Sequence, residues 1–272
     1  MNIISLLTDF GSRGSHYVAA MKAVILNISP ETKIIDLSHM VKPFSIIEGS
    51  YILKSNYSYF PKQTIFVVVI DPGVGSERGI LALKTNDGYY FVGPDNGILP
   101  AALGHNIEKC ALVENDKYFH RPVSSTFHGR DIMSPVAAYI SLKTPLKNIG
   151  PIINQKQLKM IEIPLEIKPD QRKIKCCIQY IDEFGNITTN IPLKKNKISN
   201  TDITLSEKTR IKVRKNNSIF EGNYSSHFAS VSKDSLLFLQ GSTGFLEISI
   251  NQGNASKILD ISSGDVIKLQ LE

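Results

Sequence analysis

An α/β domain followed by a smaller all-β domain is the architecture that these 272 residues predict. Three observations carry the prediction. Ile65-Phe66-Val67-Val68-Val69-Ile70 is an apolar, β-branched run of the kind that forms a strand buried on both faces of a parallel sheet. Strand-like and helix-like segments alternate from the start of the chain to about Leu142, as in a largely parallel sheet covered by helices. Beyond Ile149 the pattern changes. Pro151, Pro164 and Pro169 punctuate a weakly patterned stretch, and short β-like runs separated by turn residues follow it. The expected division is an α/β domain over 1–150, a linker over 151–170 and an antiparallel β barrel over 171–272.

In chain order, residues 2–7 read as a buried strand ending in Thr8-Asp9-Phe10-Gly11. From Ser15 a helical stripe of Val18, Met21, Ile25 and Ile28 runs to Ser29-Pro30. Lys33 to Leu37 is a second strand. Pro43 introduces a second helix, with Ile46, Ile47, Tyr51 and Leu53 as core. The strand over 65–70 comes next. Residues 79–84 and 89–92 form a hairpin about Asn86-Asp87-Gly88. Gly93-Pro94-Asp95-Asn96-Gly97 leads into a short helix ending near Leu103; a strand over 109–113 and an apolar helix over 132–142 complete the domain. The second half reads as strands over 174–181, 210–213, 236–239, 245–250 and 266–271.

Composition excludes several classes of function. No apolar run is long enough to span a bilayer, and the N-terminus lacks a basic leader, so the expected location is the cytoplasm. Cys110, Cys176 and Cys177 offer neither a disulfide framework nor metal-ligand spacing, and the six histidines show no ligand spacing; no metal is expected. Between Glu166 and Lys215 twelve Lys or Arg face six Asp or Glu, which accounts for the whole net charge of +6. These cations are scattered through strands without stacking aromatics, so they read as a solvated face and not as a nucleic-acid site. The glycine loops form neither a P-loop nor a dinucleotide fingerprint.

The polar residues at strand ends are the candidates for chemistry. In open α/β sheets the ligand crevice lies outside the carboxyl ends of the strands. The central strand delivers Asp71 to such a place, and the Pro72-Gly73-Val74-Gly75 turn lets Arg78 return to it; a surface ion pair is the alternative. Asp9 is a second carboxylate at a strand end. His128, in Phe127-His128-Gly129-Arg130-Asp131, is either a site residue or a helix cap. Tyr180-Ile181-Asp182-Glu183-Phe184-Gly185-Asn186 and Gln240-Gly241-Ser242-Thr243-Gly244 have the composition of hairpin turns.

Taken in order, Leu7-Thr8-Asp9-Phe10-Gly11, Tyr17-Val18 before Met21-Lys22, Asp71-Pro72-Gly73-Val74-Gly75 with Arg78, Gly93-Pro94-Asp95-Asn96-Gly97, Phe127-His128-Gly129-Arg130-Asp131 and Asp182-Glu183-Phe184-Gly185-Asn186 resemble one family. It is the S-adenosyl-L-methionine (SAM) hydroxide adenosyltransferases, the adenosine-forming SAM hydrolases, relatives of the SAM-dependent fluorinase and chlorinase. The resemblance covers nearly the whole chain. It implies hydrolysis of SAM to adenosine and L-methionine, with SAM as substrate and no cofactor. It also implies a homotrimer, with each site shared by one subunit's N-terminal domain and a neighbour's C-terminal domain. The family's catalytic Asp–Arg–His set falls on Asp71, Arg78 and His128. Asp9 matches the ribose-binding aspartate, with Phe10 in the same motif. Phe44 matches an aromatic that packs on the substrate, and Asn96 lies close. Asp182 and Ser242 match contacts to the methionine end; Phe184 and Asn186 match the adenine side, with Asn251 nearby.

The chain departs from the family at Arg13-Gly14-Ser15-His16, where an acidic residue is common, at Ala23 and at Thr243. Fluorinases carry tyrosine where this chain has Asp71, so water is the implied nucleophile. A halogenase of the same fold and a SAM or adenosine sensor without turnover are the alternatives. Water needs activation and alignment before it displaces a sulfonium. A guanidinium would favour hydroxide-like charge; a carboxylate paired with arginine is a weaker base and His128 is a candidate proton acceptor, and the residues leave open which group takes the proton.

Overall fold

The computed structural model describes residues 2–215 and 218–272. The chain divides into two compact units, Met1–Ile161 and Glu162–Glu272.

The first unit is built on a seven-stranded sheet of β1 (Ile3–Thr8), β2 (Lys33–Ser38), β3 (Ile65–Val69), β4 (Ile80–Thr85), β5 (Tyr90–Pro94), β6 (Ile107–Leu112) and β7 (Ile152–Ile153), in the order β2-β1-β3-β5-β4-β6-β7. Strands β2, β1, β3 and β5 are parallel neighbours, and the β4–β5 hairpin starts an antiparallel extension. Period-two alternation explains the apolar run of β3. Ile65, Val67 and Val69 face a core shared with α1 (Ser15–Ile28) and α4 (Ser134–Ser141), through Val18, Met21, Val136 and Ala137. Phe66, Val68 and Ile70 face the opposite core, shared with α2 (Ile46–Asn56) and α3 (Ile98–Leu103), through Leu53, Ile98 and Leu99. A strand with helices on both faces has no solvent side, so none of its residues is polar.

One predicted helix differs from expectation. The segment foreseen as a helix over 132–142 begins as a single π turn, Gly129–Met133, before α4 takes over at Ser134. Such turns are short and frequent at functional sites.

The second unit is a barrel. Its strands are β8 (Leu165–Lys168), β9 (Lys173–Ile181), β10 (Ile187–Lys194), β11 (Lys197–Ile198), β12 (Arg210–Lys215), β13 (Ser218–Tyr224), β14 (Leu236–Gln240), β15 (Phe245–Ile250) and β16 (Val266–Leu271). Strands β10, β15, β14, β13, β12, β16 and β9 follow one another, and a β9–β10 pairing closes the ring. Ile178, Ile187, Ile191, Val213, Phe238, Leu246, Ile248 and Leu269 share the core, with Ala255 and Leu259 added from the short α5 (Ala255–Leu259). The stretch 151–170, expected as a linker, carries β7 of the first sheet and β8 of the second.

All three cysteines are buried and unpaired. Burial pushes the Cys110 thiol up to about 12, which makes it inert. Among the described residues, no helix is long and apolar enough to cross a membrane, and no group of three His, Cys, Asp or Glu could hold a metal ion.

Candidate functional site

Parallel pairing places two carboxylates side by side. Thr8, at the end of β1, is level with Val69, at the end of β3, so Asp9 and Asp71 leave the same edge of the sheet. The turn after Asp71 closes on itself: the Val74 N–H donates to the Asp71 carbonyl at 3.2 Å and the Ser76 N–H to the Gly73 carbonyl at 3.1 Å. Gly75 has a φ of +79°, and a Cβ there would collide with the Ser125 carbonyl. Only glycine satisfies both demands.

The turn returns Arg78 to Asp71. Arg78 Nε donates to Asp71 Oδ1 at 2.9 Å, and Nη2 donates to Oδ2. The two side chains are 5 % and 4 % exposed, which makes this a buried fork-to-fork pair and not a surface one. The same Nη2 lies 2.9 Å from His128 Nδ1. A guanidinium has donors and no acceptor, so Nδ1 must be the acceptor, and neutral His128 carries its proton on Nε2. Burial and the Arg78 charge lower the pKa of His128 against the opposing pull of Asp71 and Asp131. Neutral imidazole is therefore the form that this environment favours.

Asp9 Oδ2 accepts the Phe44 N–H at 2.8 Å. Burial raises the pKa of Asp9; the Phe44 N–H opposes the shift and the Asp71 charge adds to it. Phe44 has a φ of +65° and an exposed ring. Phe10 packs edge-on against Tyr17 and Phe127, with centroids 5.6 and 6.0 Å away. Asn96 spends its amide on the backbone: Nδ2 donates to the Ile70 carbonyl at 2.9 Å, just before Asp71, and Oδ1 accepts the Ile98 N–H at 3.2 Å. It braces the chain just past the end of β3.

In the barrel unit the β9–β10 turn is fixed by its own carboxylate. Asp182 accepts the Asn186 N–H at Oδ1 and the Asn186 side-chain amide at Oδ2, both at 2.9 Å. Phe184, at the tip, is 78 % exposed. Gly185 lies against Asn254, so this turn abuts the loop that begins at Asn251. Asn251 itself donates to the Val231 carbonyl at 2.8 Å. Ser242 occupies the β14–β15 turn, at the other end of β15 from Asn251. Glu247 lies between them on β15, with Oε2 against Gly241. Burial is the main cause of its raised pKa, and Asp182 contributes.

Sequence reasoning passed over three supporting groups. Asp131 is fully buried and accepts from Arg130 at 2.6 and 2.9 Å and from the Ser124 N–H at 2.8 Å. His39 Nδ1 lies 3.0 Å from Thr8 Oγ1, and its carbonyl accepts the Gly11 N–H at 2.7 Å, which ties down the Asp9 loop. The third is Glu247. An Arg-Asp pair directly after His128-Gly129 was the one visible signal.

Two family descriptions match the chain in tandem: SAM hydroxide adenosyltransferase N-terminal domain over residues 4–150, and SAM hydroxide adenosyltransferase C-terminal domain over 176–268. The chain belongs to the SAM hydroxide adenosyltransferase family. It is 38% identical over 278 residues to the (R)-S-adenosyl-L-methionine hydrolase of Methanocaldococcus jannaschii, covering 99% of this chain and 96% of that one. It is 32% identical to the enzyme of the same name from Salinispora tropica, covering 98% and 97%. The Actinoplanes fluorinase is more distant, at 24% over 70% of this chain and 71% of its own. Among solved structures, a conserved protein from Thermotoga maritima superposes with a TM-score of 0.85 at 33% identity, covering 98% and 99%. Membership in the SAM hydroxide adenosyltransferases agrees with both units, the α/β sheet and the closed barrel.

Proposed function

We propose that this chain hydrolyses S-adenosyl-L-methionine at C5′, with a hydroxide-like oxygen displacing the sulfonium to give adenosine and L-methionine. The observation that carries the reading is Arg78 held between the Asp71 carboxylate and His128 Nδ1. Sulfur leaves as a neutral thioether, so no acid is needed there. The nucleophile is the difficulty.

The polarity of the site suits an anion. Asp71 and His128 engage Nε and Nη2 of Arg78, leaving Nη1 outside these contacts, and His128 presents an Nε2–H. An oxygen held at Nη1 is stabilised as hydroxide relative to water, as preorganised donors stabilise any developing oxyanion. Asp71 orients Arg78 and offsets its charge. The sequence left the group that takes the water's proton open, with His128 as a candidate. The tautomer argues against that role, because its Nδ1 lone pair is already engaged by Arg78 and its Nε2 carries hydrogen. His128 orients Arg78 as its acceptor, and the proton leaves to solvent. Hydroxide meeting sulfonium neutralises charge, which a dry site opposes less than water does.

Asp9 holds the ribose hydroxyls, with Phe10, Phe44 and Asn96 shaping that side. Asp182 and Ser242 meet the methionine end; Phe184, Asn186 and Asn251 meet the adenine. The assembly is a homotrimer in which a neighbour supplies the barrel residues. No cofactor takes part, and the three free thiols suit the cytoplasm.

The deciding assay incubates purified protein with SAM in halide-free buffer, with and without Asp71→Ala, and reads adenosine and methionine by chromatography. Equal amounts of both from the wild type, lost in the variant, support the hydrolase. A 5′-halo nucleoside formed only with added halide would make it a halogenase. Bound SAM without any product would leave a sensor.

A further inference from the structure

We propose that Asp131 is a positioning residue for the Arg78–His128 contact: it ties the segment 120–131 into a strap that presses His128 onto Arg78. This rests on the reading of Asp71, Arg78 and His128 as the catalytic group.

Asp131 holds the strap at three points. Its carboxylate accepts the Ser124 N–H at 2.8 Å and the Arg130 fork at 2.6 and 2.9 Å, and its carbonyl accepts the His120 N–H at 2.8 Å. The side chain is entirely withdrawn from water. A buried carboxylate is costly unless it is paired and hydrogen-bonded, and this one is both. The restrained Arg130 in turn sits over the Phe127 ring, 5.0 Å from its centroid. Phe127 is wedged against Phe10 and Tyr17.

The strap then meets the Asp71–Arg78 turn from the other side. Ser125, next to the Asp131-bound Ser124, puts its carbonyl against Gly75, in the middle of that turn. Gly129, next to His128, comes so close to Val69 that a Cβ would lie 3.0 Å from its Cγ1. His128 is thus carried between two close approaches, one to Val69 just before Asp71 and one to Gly75 in the turn after it. Nothing else described ties Ser124 to the π turn.

Asparagine at position 131 cannot reproduce this arrangement. It has one carbonyl where the site uses two oxygens, and its NH2 would face a donor. A misplacement of about 1 Å in a catalytic group costs on the order of a hundredfold in rate.

The experiment compares wild type, Asp131→Asn, His128→Asn and the double variant, with Arg130→Gln as a milder cut in the same clamp. Asp131→Asn is expected to lower kcat by about 10–100-fold with KM within about threefold, and to cost less than about threefold once His128 is already asparagine. Arg130→Gln should show the same non-additivity with a smaller loss, and it answers the question if Asp131→Asn does not fold. Additive losses, or an unchanged kcat, would overturn the proposal. A second readout needs no turnover: the side-chain 15N spectrum of His128 in the free protein. The wild type should show the Nε2–H tautomer alone, and either clamp variant a mixture. Inactive wild type with that spectral change would sink the hydrolase reading and leave the clamp standing; an unchanged spectrum would sink the clamp.

Discussion

One nitrogen of Arg78 serves two partners: Nη2 donates to the Asp71 carboxylate and, at 2.9 Å, to Nδ1 of His128. A planar fork can do this while its Nε holds the second carboxylate oxygen, and an ammonium cannot. Arg78→Lys keeps the charge and loses the geometry. Turnover should fall by about a hundredfold or more, with an unchanged circular dichroism spectrum, and product chromatography would measure it.

His128 gives a pH prediction with a definite sign. Its pKa is lowered by burial and then by Arg78, so the neutral form and the Arg78 contact are fully present above the ordinary value of about 6.5. As pH falls through the depressed value, protonation of Nδ1 expels the Arg78 donor and activity drops. His128→Asn should lose rate, lack this acid limb, and match the wild-type profile in shape above pH 6.5. A limb near neutral pH that the variant abolishes would restore His128 as the proton acceptor.

Asp9, which we propose meets the ribose, costs the free protein stability when ionised. Its raised pKa means that the folded state favours the protonated form, so its contribution to stability is greatest at low pH and declines as pH rises through the folded value. Asp9→Asn, which keeps an oxygen for the Phe44 N–H, should raise the melting temperature at pH 7 by about 1–2 °C. The gain should vanish near pH 3. Substrate binding should weaken in the same variant, as followed by calorimetry.

The β9–β10 turn offers a binding test. Asp182 holds both the backbone and the side-chain amide of Asn186, so Asp182→Ala releases the group proposed to meet adenine and removes the proposed methionine-end contact. Initial rates should show KM rising about tenfold or more with kcat within about threefold, because the group acts on binding and not on the nucleophile.

Those parts of the molecule that one repeating rule governs were legible in the residues. Strand β3 betrayed itself because both its faces are covered, and Asn86-Asp87-Gly88 named the hairpin that joins β4 to β5. Strand β10 was hidden: Thr189 interrupts the row of Ile187, Ile191 and Leu193, and Pro192 argues against a strand interior. The barrel accommodates Pro192 where the register with β15 shifts, a device that leaves no local signature. Strand β13 was obscured in a similar way by Glu221 and Gly222, the latter needed where the Leu236 carbonyl comes close. At the site, Asp9 and Asp71 could be read as neighbours because parallel strands share a carboxyl edge. The Arg78–His128 contact spans fifty residues of chain and came only from family likeness. Arg130 and Asp131 looked like the polar start of a helix; their side chains instead turn back on the loop before them.

The interlock of Gly75 with Ser125 bears on how this chemistry could be moved or diversified. Two loops far apart in the chain meet as lock and key, so neither is portable alone. A graft of residues 71–78 onto another parallel sheet would carry the Asp71–Arg78 pair and leave behind His128 and the Ser125 carbonyl that packs on the turn. Recombination between homologous chains with a crossover anywhere from 79 to 119 would mate loops of different parentage, and the viable chimaeras should be those whose parents agree at both positions.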